Sequence, residues 1–444
     1  MKRNILISAL VLFAFTALAS GQPIRGSYFF ETSLMRGKLN ASFAPQNNYV
    51  SIPVIGYLGA DVYSNAGLAN FLFAQGDKKN VTFLHPSVST DAFLSGLPEK
   101  DPFVTERLET DVLGAGIRIG ANGFITAALS VVQNADVQIP KELLRFAKAG
   151  GNASIRDLGA RLGGYAQLAV GYSHDMGDMV EGLHLGGRVK LLAGLAALDA
   201  NLSRADVVMD GQQLSVSTNG TGYIAGFSYV DGSFKADKIG LNGFGFAVDL
   251  GVEYRIPLEG FINGVNISAS VNDLGFLGFS KNVKMLTSMG SASFSGFKGI
   301  DADYDFSTNF QNVVDDFTNL ANFNTSNAEG YHYKLSPSIF AGVEAPFLNE
   351  MMSLGVLYYY AQGYHNIMAS YNLTPVRWFN FGLNYTFVGP ARTYGFYAEF
   401  IPKMPVGFFI GMEKASLKTN SKGLGIKNLT ETVCLGLNVA FGGK

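Results

Sequence analysis

Residues 244–256 read Phe-Gly-Phe-Ala-Val-Asp-Leu-Gly-Val-Glu-Tyr-Arg-Ile and alternate between two kinds of side chain. Every second residue is large and apolar, and the residues between them are small or charged. This repeat of two is typical of a β-strand, because successive side chains of a strand point to opposite faces of the sheet. The stretch therefore predicts a strand with one apolar face and one small or polar face.

The same alternation recurs at residues 379–387 and 394–400. It fits a soluble β-sandwich as well as a membrane barrel, since either can have one apolar and one polar face per strand. Phe379 and Phe387 are eight residues apart, which is about 26 Å along a strand at ~3.3 Å per residue. After a tilt of ~40° this distance spans about 20 Å, close to the ~25 Å apolar band of outer-membrane barrels. The spacing therefore favours the barrel.

Period-two segments and the turn residues between them predict fourteen strands along the chain. They lie near residues 49–61, 112–120, 123–138, 163–174, 181–198, 241–256, 263–274, 333–346, 351–361, 365–374, 377–388, 392–401, 405–413 and 431–441. The connections on one side are all short, and the long ones, at 62–111, 139–162, 199–240, 275–332 and 414–430, all fall on the other. Short periplasmic turns and longer extracellular loops are typical of outer-membrane proteins. We expect an all-β protein: a transmembrane antiparallel β-barrel of about 14 strands with long extracellular loops.

The start of the chain has the pattern of a secretory signal peptide. Lys2 and Arg3 precede an apolar run from Ile5 to Phe15, and Ala17-Leu18-Ala19 is a small-residue cleavage site. We expect a signal peptide at 1–22, a periplasmic or plug segment at 23–48, and an outer-membrane β-barrel at 49–444. The expected location is the cell outer membrane.

Composition excludes several classes of protein. Hydrophobic residues make up 48% of the chain and charged residues 15%, whereas soluble globular proteins have roughly 25% charged residues; this mix excludes disorder and a coiled coil. The formal net charge of −2 offers no basic surplus for a phosphate backbone, so no nucleic acid partner is expected. Cys434 is the single cysteine, which excludes an intrachain disulfide and a cysteine zinc cluster.

The sequence gives no sign of catalysis or of a cofactor. The five histidines, at positions 85, 174, 184, 332 and 365, show no metal-site spacing, and no nucleophile elbow occurs. Residues 301–305 begin like a calcium loop, but Phe306 stands where glycine is needed and Asn312 where a bidentate glutamate belongs. We therefore expect a protein that is not an enzyme and that holds no metal or cofactor.

Charged residues that fall on the small or polar strand face are candidates for the barrel lumen. The main cluster lies on two adjacent predicted strands and consists of Arg188, Lys190, Asp249, Glu253 and Arg255. Opposite charges there could brace the wall or select a solute. Arg118, Glu344 and Glu399 are further lumen charges. If residues 23–48 enter the barrel, Arg36 and Lys38 are candidate partners of Asp249 and Glu253, and solute uptake would then need a movable plug.

Two loops carry predicted structure of their own. Residues 140–150 begin with proline, end with glycine and have an apolar stripe, which predicts a short amphipathic helix at the barrel mouth. The pair Asp210-Gly211 between two apolar stretches predicts a hairpin rising above the barrel.

Four stretches carry a resemblance to a known family: Arg36 to Pro45, Gly150-Gly151-Asn152, Gly171 to His174, and Leu183 to Leu195. They resemble a family of uncharacterised Bacteroidota outer-membrane barrels that has only a domain-of-unknown-function label. More distantly, the fourteen-strand count with its N-terminal segment is similar to the long-chain fatty-acid transporter superfamily, whose members pass hydrophobic substrates or serve as secretion-associated barrels.

Two functions remain open from the sequence. The first is a passive channel or transporter for a small hydrophobic or amphipathic solute, because a barrel of this size encloses enough lumen for transport. The alternative is a non-catalytic structural or secretion and surface-assembly barrel that acts on a protein partner through its extracellular loops. In both cases outer-membrane lipid surrounds the barrel.

Overall fold

The computed structural model describes residues 25–75, 79–210, 213–230, 233–236, 238–294, 323–376, 378–389, 392–401, 406–415 and 430–442. The predicted signal peptide at 1–22, the calcium-like stretch at 301–305 and Gly211 of the predicted hairpin lie outside these residues. Within the described ranges, no helix is long and apolar enough to cross a membrane.

The described residues form a sheet-rich structure. Its strands are β1 Asn48–Ser51, β2 Leu58–Ser64, β3 Leu72–Gln75, β4 Lys79–Thr82, β5 Phe103–Ile119, β6 Gly123–Gln138, β7 Ala153–Asp175, β8 Leu183–Asp210, β9 Gln213–Ala225, β10 Ser228–Val230, β11 Ser233–Lys235, β12 Gly243–Pro257, β13 Gly264–Phe279, β14 Val283–Phe294, β15 Asn324–Asn327, β16 Tyr331–Tyr333, β17 Ser338–Phe347, β18 Met352–Ala361, β19 Tyr364–Val376, β20 Phe379–Val388, β21 Thr393–Phe400, β22 Val406–Ala415 and β23 Thr430–Phe441.

These strands close into an antiparallel barrel of fourteen wall strands, which confirms the predicted fold class and strand count. β1 and β2 are two parts of the first wall strand, and both pair with β23 on one side and β5 on the other. The other thirteen wall strands follow around the barrel in the order β5, β6, β7, β8, β12, β13, β17, β18, β19, β20, β21, β22 and β23. Because the last strand pairs with the first, the sheet has no free edge along this seam.

The apolar alternation predicts correctly which side chains face outward. Phe244 and Leu250 are 62% and 54% exposed on the outer surface, whereas Asp249 and Glu253 are 0% and 3% exposed and face the interior. One strand therefore has an apolar outer face and a charged inner face, as its repeat of two requires.

Several wall strands are longer than predicted. β5 begins at Phe103 and β7 at Ala153, and β8 continues to Asp210, so it has 28 residues. Exposed positions on these extensions are mostly polar, as at Arg156 and Arg204. The apolar alternation therefore stops where the outer surface becomes polar, while backbone pairing continues beyond it. Parts of the predicted loops 62–111, 139–162 and 199–240 are consequently strand.

The extended parts of β7 and β8 form an additional sheet with β9 and β14 beyond the barrel. β8 and β9 make the predicted hairpin, with Asp210 opposite Gln213. The sheet has an apolar inner side that includes Ile155 and Val216, both nearly inaccessible to solvent. This sheet gives the barrel a raised wall along one part of its rim.

Short helices occupy the loops and the N-terminal segment. They are the 3-10 helices Arg25–Ser27 and Arg36–Lys38 and the α-helices Leu68–Phe71, Thr90–Gly96 and Lys141–Ala149. The last of these confirms the helix predicted from its flanking proline and glycine, since Gly150 adopts φ +66° and its N–H bonds to the Phe146 carbonyl. Phe146 packs against the apolar side of the raised sheet and so holds the helix against that sheet.

Candidate functional site

Residues 25–47, called the plug from here on, lie inside the barrel. Tyr28 and Phe30 are 0% and 2% exposed, and their rings pack against Phe340 and Tyr397 of the wall with centroids 6.0 and 5.5 Å apart. Burying a large apolar side chain contributes about 1.5–3 kcal/mol. Apolar contacts therefore hold the plug in the lumen even before its charges are considered.

Wall glycines make room for the plug. A Cβ added at Gly186 would collide with the backbone carbonyl of Ala41, and one added at Gly251 would collide with the Asn40 side chain. These glycines form a surface against which the plug backbone lies.

A continuous network of ionic contacts joins the plug to one side of the wall. Its members, in order of contact, are Arg188, Asp249, Lys190, Asp273, Arg107, Glu109, Lys38 and Asp111. The distances between charged atoms lie between 2.6 Å, for Lys190 and Asp273, and 3.3 Å, for Arg107 and Glu109. Four cations and four anions alternate along it, so the network carries no net charge and extends from β8 to the plug.

Asp249 is the best-enclosed member of this network. Its carboxylate accepts from Arg188 at 3.1 Å and from Lys190 at 2.8 Å. It also accepts the backbone N–H of Asp273 at 2.8 Å, at a bulge where Asp273 adopts φ +59°. One carboxylate therefore pairs two cations and stabilises a left-handed backbone residue that is not glycine.

Lys38 of the plug lies between Glu109 and Asp111, with its Nζ 2.7 Å from an oxygen of each. Burial acts to lower the pKa of Lys38, but Asp111 and Glu109 outweigh it and raise that pKa above its ordinary value. Lys38 is therefore a fixed cation. It contacts these two carboxylates rather than Asp249, whose ionic partners are both on the wall.

A second ionic group surrounds Arg36. Its guanidinium lies 3.1 Å from Glu253, and Arg255 bridges Glu253 at 3.0 Å and Glu31 of the plug at 2.6 Å. The Arg36 guanidinium also stacks over the Phe43 ring, 3.8 Å from its centroid. The plug and the wall thus each supply one cation and one anion to a chain of four alternating charges.

A third contact lies at the other end of the plug. Arg25 pairs with Asp61 on β2 and, at 3.4 Å, with Glu413 on β22. It also donates to the Thr432 hydroxyl on β23 at 3.3 Å. Arg25 is 5% exposed, so the N-terminal part of the plug reaches deep into the barrel.

The remaining lumen charges contact the plug or neighbouring wall strands. Glu399 accepts the Leu34 N–H at 3.4 Å, and Arg118 donates to the Pro45 carbonyl at 3.0 Å. Glu344 accepts from the Asn266 side chain at 3.1 Å. His184 lies 3.9 Å from Asp175, and no group of three or more possible metal-ligating side chains occurs among the described residues.

Six charged wall residues of these ionic contacts were not predicted from the sequence: Asp61, Arg107, Glu109, Asp111, Asp273 and Glu413. Three of them lie in the predicted loop 62–111, where the apolar repeat is absent. Their spacing of two residues nevertheless places Arg107, Glu109 and Asp111 on one strand face. A repeat of two among charged residues is the signal that could have identified this inner surface.

The filled lumen defines the class of this protein: a closed β-barrel with an internal plug. The chain belongs to the DUF5723 family, a family of unknown function, whose model matches residues 41–413. No curated protein matches the chain.

Among solved structures, the chain is similar to several barrels at low identity. The toluene transporter TodX from Pseudomonas putida is 9% identical, with a TM-score of 0.38 and coverage of 96% of both chains. The toluene transporter TbuX from Ralstonia pickettii is 8% identical, with a TM-score of 0.40 and coverage of 90% of this chain and 91% of that one. A FadL homologue from Pseudomonas aeruginosa is 10% identical, with a TM-score of 0.38 and coverage of 96% and 97%.

Proposed function

We propose that the protein is an outer-membrane channel for a small hydrophobic or amphipathic solute, and that residues 25–47 are its removable plug. The observation that carries this proposal is how the plug is bound. Each described hydrogen bond between plug and wall involves a side chain, as between the Asn272 amide and the Leu39 carbonyl at 2.8 Å. The plug can therefore leave without breaking a backbone ladder of the barrel.

The outer surface supports a location within a lipid bilayer. Each of the fourteen wall strands exposes at least one large apolar side chain there: Val50, Leu113, Val131, Leu168, Val189, Leu250, Phe276, Val343, Val356, Tyr371, Leu383, Tyr394, Ile410 and Leu435. A continuous apolar belt of this extent is unfavourable in water and typical of a membrane surface.

Leu250→Arg tests this location. Leu250 is 54% exposed in the middle of β12, so arginine there should reduce the free energy of unfolding in bilayers by about 2–4 kcal/mol. Leu250→Phe, which keeps an apolar surface, should have little effect. Denaturant unfolding in liposomes measures both variants, and equal stability of the two would show that this face does not contact lipid.

Lys38→Met tests the plugged channel. The change leaves Glu109 and Asp111 without their shared cation, and because Lys38 keeps 17% of its side chain exposed, we expect a loss of only about 1.4 kcal/mol in plug binding. Openings in planar bilayers should then be about tenfold more frequent than in the wild type. The matched control is Lys281→Met, at an exposed position outside the lumen, which should behave like the wild type. A lumen that stays closed in the Lys38 variant contradicts the channel.

The alternative function is a surface or secretion assembly barrel, and one observation favours it. The raised sheet of β7, β8, β9 and β14 extends the structure well beyond the apolar belt. Such a sheet can present a large surface to a protein partner. A barrel that conducts in no variant, but whose raised sheet is needed for surface assembly, would favour this alternative.

A further inference from the structure

A cavity of about 60 Å³ lies between the plug and the wall. Since one water molecule occupies about 10–15 Å³ of such a cavity, there is room for a solute of about four or five non-hydrogen atoms. Its lining includes the polar side chains of Arg107, Gln167 and Asn272 and the apolar side chains of Leu39, Ala169 and Phe340. Its lining is thus amphipathic.

Gln167 on β7 is a buried polar residue in the lining of this cavity. It is 4% exposed. Within the described residues its carboxamide oxygen has no hydrogen-bond partner, and its NH2 group is bonded to none of them either. Arg107 Nε and Asn272 Oδ1, in the same lining, also lack partners there. Buried polar groups are normally bonded, so these atoms indicate a missing donor and a missing acceptor.

The charges around the cavity restrict which chemical group could supply the missing hydrogen-bond donor and acceptor. Each cation of the lining already lies beside an anion, as Lys190 does with Asp273 at 2.6 Å and Lys38 with Asp111 at 2.7 Å. An ionised ligand would have to take a partner from one of these pairs and leave a buried charge uncompensated, which is strongly unfavourable. The ligand group that fits is therefore uncharged.

We propose that this cavity binds the head group of the transported solute, and that the head group is a primary carboxamide or an equivalent uncharged group that both donates and accepts hydrogen bonds. A carboxamide can form two reciprocal hydrogen bonds with the Gln167 side chain, whereas a carboxylate ion only accepts. The apolar remainder of the solute then lies against Leu39 and Phe340. The inference rests on the proposed channel function, because it treats the ligand as the solute.

The test compares propionamide with propionate, two molecules of nearly equal shape that differ in charge and in hydrogen-bond donors. Isothermal titration calorimetry at pH 7 on the full-length protein in detergent should show saturable binding of propionamide only. Gln167→Met keeps the length of the side chain and removes its amide, and should raise the Kd about tenfold through the loss of two hydrogen bonds. Asn384→Leu is the matched control, because it removes another buried amide that has no partner in the described part of the chain and should leave the Kd unchanged.

Three outcomes would overturn the assignment: no saturable binding of propionamide, equal binding to wild type and Gln167→Met, or equal binding of propionate. Calorimetry measures binding and planar bilayers measure conduction, so the two proposals are tested separately. If propionamide binds as expected but Lys38→Met never opens, the cavity is a binding site and the channel proposal fails. If Lys38→Met opens but propionamide does not bind, the channel stands and only the head-group assignment fails.

Discussion

Gly186→Val should expel the plug and convert a closed barrel into an open pore. Any Cβ at this position collides with the Ala41 carbonyl of the plug, and a β-branched side chain on a paired strand cannot turn away from it. Overpacking of this kind costs about 1–3 kcal/mol. Because the plug can leave more easily than the wall can deform, the open fraction should rise by about 5- to 150-fold.

The neighbouring residue provides the control. Gly187 is next along β8 and faces outward, where an added Cβ would have no contact closer than 3.8 Å. Gly187→Val should therefore keep the wild-type conductance in planar bilayers. If the two valine variants conduct equally, or if Gly186→Val remains closed, the plug does not control the lumen.

Asp249→Leu should have the largest effect on stability. The change removes the anion that pairs Arg188 and Lys190 and the acceptor for the Asp273 N–H. Removing one partner of a buried ionic group costs about 3–5 kcal/mol, because the remaining charges stay uncompensated. Denaturant unfolding of the reconstituted barrel should show a loss of this size.

Two further variants separate the charge from the hydrogen bond. Asp249→Asn keeps an oxygen that can accept from Asp273 but removes the negative charge, so its loss of stability should be smaller than that of leucine. Asp178→Asn changes an exposed turn residue and should alter the free energy of unfolding by no more than about 0.5 kcal/mol. A fully stable leucine variant would show that the ionic network does not brace the wall.

The sequence predicts the wall well, because the physical cause of the pattern is local. Whether Leu250 faces outward and Asp249 inward depends only on the alternation of one strand. The strand ends are harder to predict, since β8 continues through Arg204 to Asp210, well beyond the predicted strand end at residue 198. Hydrogen-bonded pairing with β7 and β9 supports this extension, and the pairing partner of a strand cannot be read from its own residues.

The contacts inside the lumen are less predictable for a geometric reason. Lys38 contacts Glu109 and Asp111, and Arg36 contacts Glu253, although all of these carboxylates face the same interior. Which of them a plug cation meets depends on barrel closure and on the path of the plug through glycine positions such as Gly186. Neither barrel closure nor the path of the plug can be predicted from the alternation of side chains in a single strand.

The position of Arg25 also bears on how the molecule is assembled. Arg25 contacts Asp61 on β2 and Thr432 on β23, and the Thr432 hydroxyl donates to Asp61 at 2.7 Å. These two strands meet at the seam, so the binding site for the first part of the chain is complete only after the last strand has paired. Full seating of the N-terminal end of the plug is therefore coupled to closure of the barrel, and a barrel with an open seam lacks the complete set of Arg25 contacts.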